Sequence, residues 1–230
     1  TTTGELTWLG AELNGDFYNE RSNLPLSYWV AATWLTGNID TLRTSTVAGQ
    51  RQADGQLSQD LDAWAVDLGL RWNIDQNWRV GATYARTSGG SDGDDSEQFR
   101  QTGLESNRAK FTGTGSGINR FGEAYRGELN NLQAASVFTG WQLGEDYDAS
   151  LVYHRFWRVD DQADSSSGLK AQLVPGEKDI GQEVDLVVTR YLNRGQIPAG
   201  LEWLRASSAL VRFRGGLFFP GDAFGKGTDS

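Results

Sequence analysis

The segment from Asp62 to Arg86, DAWAVDLGLRWNIDQNWRVGATYAR, constrains the fold most, because one alternation runs through two successive stretches and the tight turn between them. Trp64, Val66, Leu68, Leu70 and Trp72 take every second position, with Ala65, Asp67, Gly69, Arg71 and Asn73 between them. Period two places successive side chains on opposite faces of a strand, so one face is apolar and the other polar. Trp78, Val80, Ala82 and Tyr84 repeat the pattern against Arg79, Gly81, Thr83 and Ala85. Residues 73–77, Asn-Ile-Asp-Gln-Asn, supply turn chemistry. The segment therefore predicts an antiparallel hairpin whose apolar face starts and ends in aromatic rings. Such a face meets a second sheet in a soluble sandwich, or lipid in a membrane barrel whose charged side lines a wet lumen.

The same alternation predicts strands over Glu5–Phe17, Ser27–Trp34, Asn130–Leu143, Tyr147–Arg158, Glu183–Thr189 and Ala209–Phe219. With the hairpin these make about eight strands of about ten residues, the length needed to cross hydrocarbon at a tilt. Residues 37–60, 87–126 and 162–178 are polar and lack a period, so they are expected as loops, the first as a loop or an exposed extension. A structureless loop as long as 87–126 is expected only where it carries function. Residues 192–207, with Pro198, Leu201, Trp203 and Leu204, form a longer connection that can hold a helical turn. Short and long connections otherwise alternate, which collects the long ones at one end. Outer-membrane barrels show this asymmetry, with short turns in the periplasm and long loops outside.

Composition narrows the remaining classes. No run of eighteen or more apolar residues exists, so no spanning helix is expected. Cysteine and methionine are both absent, which removes disulfides and thiol chemistry. The sequence has no initiator methionine and no basic leader followed by an apolar stretch, so a mature protein or an internal piece is expected. A net charge of −9 argues against nucleic acid as a partner, because phosphate binding needs a basic surface.

Candidate chemistry is sparse. His154 is the only histidine, and without a Ser-x-Gly elbow or a recognisable acid to orient it, a lumen-facing role is the simpler reading. Residues 113–122, GTGSGINRFG, overlap loosely with a dinucleotide loop but lack the flanking strand and helix, so a flexible loop is expected. Asp92, Asp94, Asp95 and Glu97 form an acidic run that is a candidate calcium site on an outer loop, against the default of a solvated run. Otherwise no cofactor and no enzymatic activity is expected. Arg212 and Arg214 flank Phe213 and so share one face. An arginine at the lipid midplane costs about 2–4 kcal/mol, so in a barrel both point inward. Arg71, Arg79 and Arg158 fall on inner faces by the same argument, with Asp67, Asp148, Glu183 and Asp185 to balance them.

Residues 101–135 (QTGLESNRAKFTGTGSGINRFGEAYRGELNNLQAA), 141–161 (WQLGEDYDASLVYHRFWRVDD), 175–192 (PGEKDIGQEVDLVVTRYL) and 209–230 (ALVRFRGGLFFPGDAFGKGTDS) closely resemble the alginate-export outer-membrane porin family, as do AWAVDLGLRW and YWVAATWL. The resemblance covers the carboxyl-terminal half of the family barrel. It implies an all-β, antiparallel up-and-down transmembrane barrel of eighteen strands, monomeric when complete, in the outer membrane of a Gram-negative cell. The family passes alginate outward through an arginine-lined constriction and works beside periplasmic proteins of an export complex. Of the family's selectivity arginines, Arg108, Arg212 and Arg214 match; another falls at Gly117, where the charge is lost. The family's long periplasmic plug corresponds to residues 192–207. Arg71, Arg79, Asp67 and Asp185 are then candidates for the wall beside the anion path.

About eight strands with two open edges leave backbone groups unpaired in hydrocarbon at several kcal/mol each, so a closing partner segment is expected. The alternative is a soluble or surface β-sheet module that binds acidic polysaccharide; a barrel hydrolase stands behind both.

Overall fold

The computed structural model describes residues 2–17, 25–47, 50–92, 95–101, 107–193 and 208–225. The chain begins with four long strands, β1 (Thr2–Phe17), β2 (Leu26–Val47), β3 (Gln50–Asn73) and β4 (Trp78–Thr87). Four two-residue strands follow, β5 (Ser91–Asp92), β6 (Asp95–Ser96), β7 (Arg108–Ala109) and β8 (Ile118–Asn119). It resumes with β9 (Leu132–Leu143), β10 (Tyr147–Arg158), β11 (Asp179–Asn193) and β12 (Ser208–Pro220). The long strands pair in chain order, β1-β2-β3-β4-β9-β10-β11-β12, and every pairing among them is antiparallel. This is the up-and-down wall that the alternation predicts. Among the described residues no helix is long and apolar enough to cross a membrane.

Register carries the two-faced pattern across the whole sheet. Leu13, Val30, Leu68 and Tyr84 line up on one face, as do Trp72, Val80, Thr139, Leu151 and Leu186. No described element covers this face: Leu9 is 75% exposed, Phe213 63% and Leu217 60%. Leaving a leucine or phenylalanine in water forgoes about 1.5–3 kcal/mol each, and a patch this wide marks contact with another apolar phase. Rings cluster at its two margins. Trp34 pairs with Trp64 at one end, and Trp78 with Trp141 at the other, beside Trp72 and Tyr147. Trp64 and Trp72 stand eight residues apart on β3, about 26 Å of extended chain. That is the height of the apolar band of a membrane barrel, with aromatic girdles at both interfaces. Among the described residues no second sheet, as a sandwich requires, packs on this face.

The opposite face carries Ser27, Trp29, Asp67, Arg71, Arg79, Thr83, Ser136, Asp148, Ser150, His154, Glu183, Asp185, Arg212 and Arg214. Toward the long-loop end it turns apolar, where Leu35, Ile39, Leu61, Ala63 and Ala65 are buried with Phe99.

Two expected loops are built differently. Residues 37–60 are mostly ladder: β2 and β3 stay paired from Leu26↔Trp72 to Val47↔Gln50, with one register shift between Leu42 and Thr44. Beyond the apolar band neither face needs an apolar row, so backbone pairing forms the ladder without leaving a period in the sequence. The second half of residues 87–126 is not a solvated loop but folds back over the inner face, where Phe111, Ile118, Phe121 and Tyr125 are buried. The 162–178 segment is a loop, tied down by Asn131 and Arg158 through carbonyls of residues 160–177. Most of the 192–207 connection lies outside the described residues, β11 running on to Asn193.

Candidate functional site

The inward segment is a glycine-rich hairpin laid across the wall. Its base is the ladder Arg108↔Asn119 and Ala109↔Ile118. Phe111 and Ile118 pack on Phe138, Val152 and Val187, which are inner-face residues of β9, β10 and β11. The tip is fastened by hydroxyls. Thr112 and Thr114 both reach Ser150 Oγ, at 2.9 and 3.0 Å. Ser116 donates to Asp148 Oδ1 at 2.8 Å, and Tyr191 donates to the other oxygen, Oδ2, at 2.7 Å. Gly113 sits at φ 80°, and a Cβ there would come within 2.9 Å of the Arg71 Cδ. Only glycine fits both that conformation and that approach.

The returning arm is held by two wall carboxylates. Glu183 accepts the Ala124 N–H at Oε1 (2.6 Å) and the Tyr125 N–H at Oε2 (2.9 Å). Asp185 accepts the Glu123 N–H at 2.9 Å. Tyr125 then stacks on Phe218 and tilts against Phe156, and burial pushes its phenol well above the usual range.

Charges meet around this hairpin. Arg214 lies 3.0 Å from Glu123 Oε1 and donates to the Gly117 carbonyl at 3.1 Å. Arg108 approaches the other oxygen of Glu123 at 3.7 Å, with its side chain 45% exposed. Arg212 donates to Thr189 Oγ1 at 2.9 Å. Arg71 donates to Ser27 Oγ and Arg79 to the Gln76 carbonyl, and the stems of both pass beneath Gly113. Thus Arg108 and Arg214 share one acid, Arg212 stands beside Arg214 on the strand, and Arg71 with Arg79 forms a second group on β3 and β4.

The two candidate acids hold other partners than expected. Asp185 anchors loop backbone and lies 3.2 Å from His154 Nε2, and it makes no ion pair with Arg212 or Arg214. Asp67 pairs with Arg120, a residue the sequence reading passed over inside GTGSGINRFG. The Arg120 guanidinium lies 5.0–5.9 Å from the ring centroids of Phe111, Trp29 and Phe121. Burial lowers its pKa, and the charge and hydrogen bond of Asp67 oppose that fall. Glu123 was passed over too.

His154 does have oriented neighbours, contrary to the reading of its sequence surroundings. Ser136 Oγ lies 2.7 Å from Nδ1, and Asp185 follows on the other side. The order is that of a Ser-His-Asp set, assembled by register across three strands and therefore invisible along the chain. All three side chains are buried, so Ser136 does not face the lumen. As for calcium, no group of three or more acidic or histidine side chains among the described residues is placed to hold a metal ion, but the side chains of Asp92, Asp94 and Asp95 lie outside the described ones, so the candidate site itself is untested.

The alginate export family matches residues 1–230. The chain is 63% identical over 232 residues to the alginate production protein AlgE of Pseudomonas aeruginosa, covering 100% of this chain and 47% of that protein. It is 53% identical over 239 residues to the protein of that name from Azotobacter vinelandii, covering 99% of this chain and 48% of the relative. With the Pseudomonas syringae pv. tomato protein the identity is 44% over 245 residues, covering 100% of this chain and 48% of the relative. The chain spans about half the length of these curated relatives.

Proposed function

Because this chain belongs to the alginate export family, we propose that it forms one wall of an outer-membrane porin through which an anionic polysaccharide, alginate, leaves a Gram-negative cell. The observation that carries this reading is the convergence of Arg108 and Arg214 on Glu123, on a segment folded into the face that lipid does not touch. A polyuronate carries one carboxylate per sugar. Guanidinium groups match that charge and its planar geometry, and they stay protonated at any working pH. Two unit charges 4 Å apart attract by about 1 kcal/mol in bulk water and about 4 kcal/mol near a protein surface. Transport needs the weaker part of that range, spread over several sites, so that the polymer moves on. Glu123 serves this end. It holds two arginines in place and competes with each passing carboxylate, so neither arginine binds the polymer too long. Arg71 and Arg79 extend the cationic wall toward the short-turn end, and Arg212 widens it beside Arg214.

The test is the reversal potential of the full-length protein in a bilayer under a potassium chloride gradient. Arg212→Ala with Arg214→Ala is expected to lower the chloride-over-potassium permeability ratio by roughly threefold. An unmoved reversal potential would remove these arginines from the filter. A gain-of-charge variant approaches the same site from the other side. A Cβ on Gly117 meets only the Ala109 carbonyl and Arg108 Cβ, both at the ordinary distance of 3.9 Å, and its φ is not in the left-handed region. Gly117→Arg is therefore expected to fold normally and to raise chloride selectivity; equal selectivity would show that the tip does not face the ion path.

A further inference from the structure

Between β1–β3 and the inward hairpin lies a cavity of about 460 Å³, lined by Trp29, Asp67, Arg71, Arg108, Phe111 and Arg120 among others. Sites for drug-sized molecules run from roughly 300 to 1,000 Å³, so there is room here for one or two sugar rings. Its walls set aromatic rings, Trp29 and Phe111, beside the charged groups Asp67, Arg71, Arg108 and Arg120. Trp29 is half-buried, and the benzo part of its indole covers Gly69, where any Cβ would collide with the ring. The ring is thereby pressed against the wall.

Two donors in the cavity lining lack an acceptor. Arg120 is only 7% exposed, yet its Nη1 has no hydrogen-bond partner, although Asp67 takes the neighbouring Nη2. Arg71 Nε is likewise unpartnered. Buried donors are nearly always satisfied; these two are covered in the empty cavity, and an acceptor entering it satisfies them once the guanidinium groups turn toward it. Unpartnered guanidinium donors beside an aromatic ring are complementary to a pyranuronate, whose ring offers an apolar C–H face and whose edge offers a carboxylate.

We propose that Trp29 is a stacking platform for one sugar ring of the exported polyuronate, with the carboxylate of that ring taken by Arg120 and Arg71. The inference rests on the proposed function and adds a sugar-specific subsite to a filter that otherwise reads charge alone. Trp29 also touches the apolar cluster under the hairpin, so a purely structural role has to be separated from stacking.

The experiment uses the full-length protein in planar bilayers and measures block of ion current by short oligomannuronates, with a polyacrylate of similar charge as the sugar-free probe. Trp29→Leu keeps apolar contact and loses the aromatic face, whereas Trp29→Tyr keeps the face. The expected result for Trp29→Leu is that oligomannuronate block weakens about fivefold to tenfold, while polyacrylate block, open-channel conductance and reversal potential stay as in the wild type. Trp29→Tyr is expected to remain within about twofold of the wild type. Three results would overturn the subsite: undiminished block in Trp29→Leu, equal loss with both probes, or weakened block together with raised conductance, which would make Trp29 a loop anchor only. If the wild type itself shows neither anion selectivity nor oligomannuronate block, the failure belongs to the proposed function instead.

Discussion

Replacing residues 110–117 with Gly-Gly raises the single-channel conductance of the full-length protein by roughly threefold or more. The expectation follows from register. Ala109 and Ile118 are opposed partners in the β7–β8 ladder, so two glycines between them make the shortest standard hairpin without disturbing the base. Arg108, Arg120 and Glu123 stay in the chain, as do the bonds from residues 123–125 to Glu183 and Asp185. What disappears is the tip that spans the inner face, namely the Phe111 ring and the Thr112, Thr114 and Ser116 hydroxyls resting on Ser150, Asp148 and Thr189. Those wall groups are polar and accept water in its place. Removing protein that crosses the inner face widens the space beside it and lets water screen the arginines, so anion selectivity is expected to fall together with the rise in conductance. Conductance equal to the wild type would place the constriction on another part of the barrel.

How much of this was legible depends on whether lipid or the chain's own contacts set each feature. Tyr147–Arg158, β4 and the turn end of β3 were readable to within a residue or two, since lipid on one side and a polar interior on the other force strict alternation, whereas the start of β3 at Gln50, well before Asp62, was not. The inward direction of Arg212 and Arg214 was readable for the same reason. Residues 37–60 gave no signal because a ladder beyond the bilayer has no face under selection for apolarity. The inward fold of residues 107–127 was hidden in a different way. Its anchors, Asp148, Ser150, Glu183 and Asp185, lie on two strands well downstream of it, and each resembles any other lumen-facing polar residue. An acid that neutralises an arginine and one that holds backbone N–H groups have the same letter, which is why Asp185 was expected beside arginines and instead holds Glu123. Arg120 escaped because glycine-rich sequence suggests mobility, whereas here the glycines permit close packing.

The anchoring carboxylates set the second large effect. Glu183→Gln, although nearly isosteric, is expected to destabilise the protein by about 2–4 kcal/mol, close to the loss from Glu183→Ala. Both oxygens of Glu183 accept backbone N–H groups, from Ala124 and Tyr125, and the side chain is fully buried. A glutamine has one accepting oxygen. Its NH₂ would face the second N–H, donor against donor, with no water to intervene, so one bond is lost and a repulsive contact replaces it. The loosened arm carries Glu123, and with it the ion pairs to Arg108 and Arg214, so a local change in stability reaches the filter. The measurement is thermal unfolding in detergent together with trypsin cleavage after Arg120 and Arg126, with Glu128→Gln, an exposed acid on the same segment, as the control. Faster cleavage and a lower midpoint are expected for Glu183→Gln and wild-type behaviour for the control. A Glu183→Gln protein as stable and protease-resistant as the wild type would show that the segment does not depend on twin acceptance by Glu183, and would shift its anchoring to Asp185 and the hydroxyl contacts of the tip.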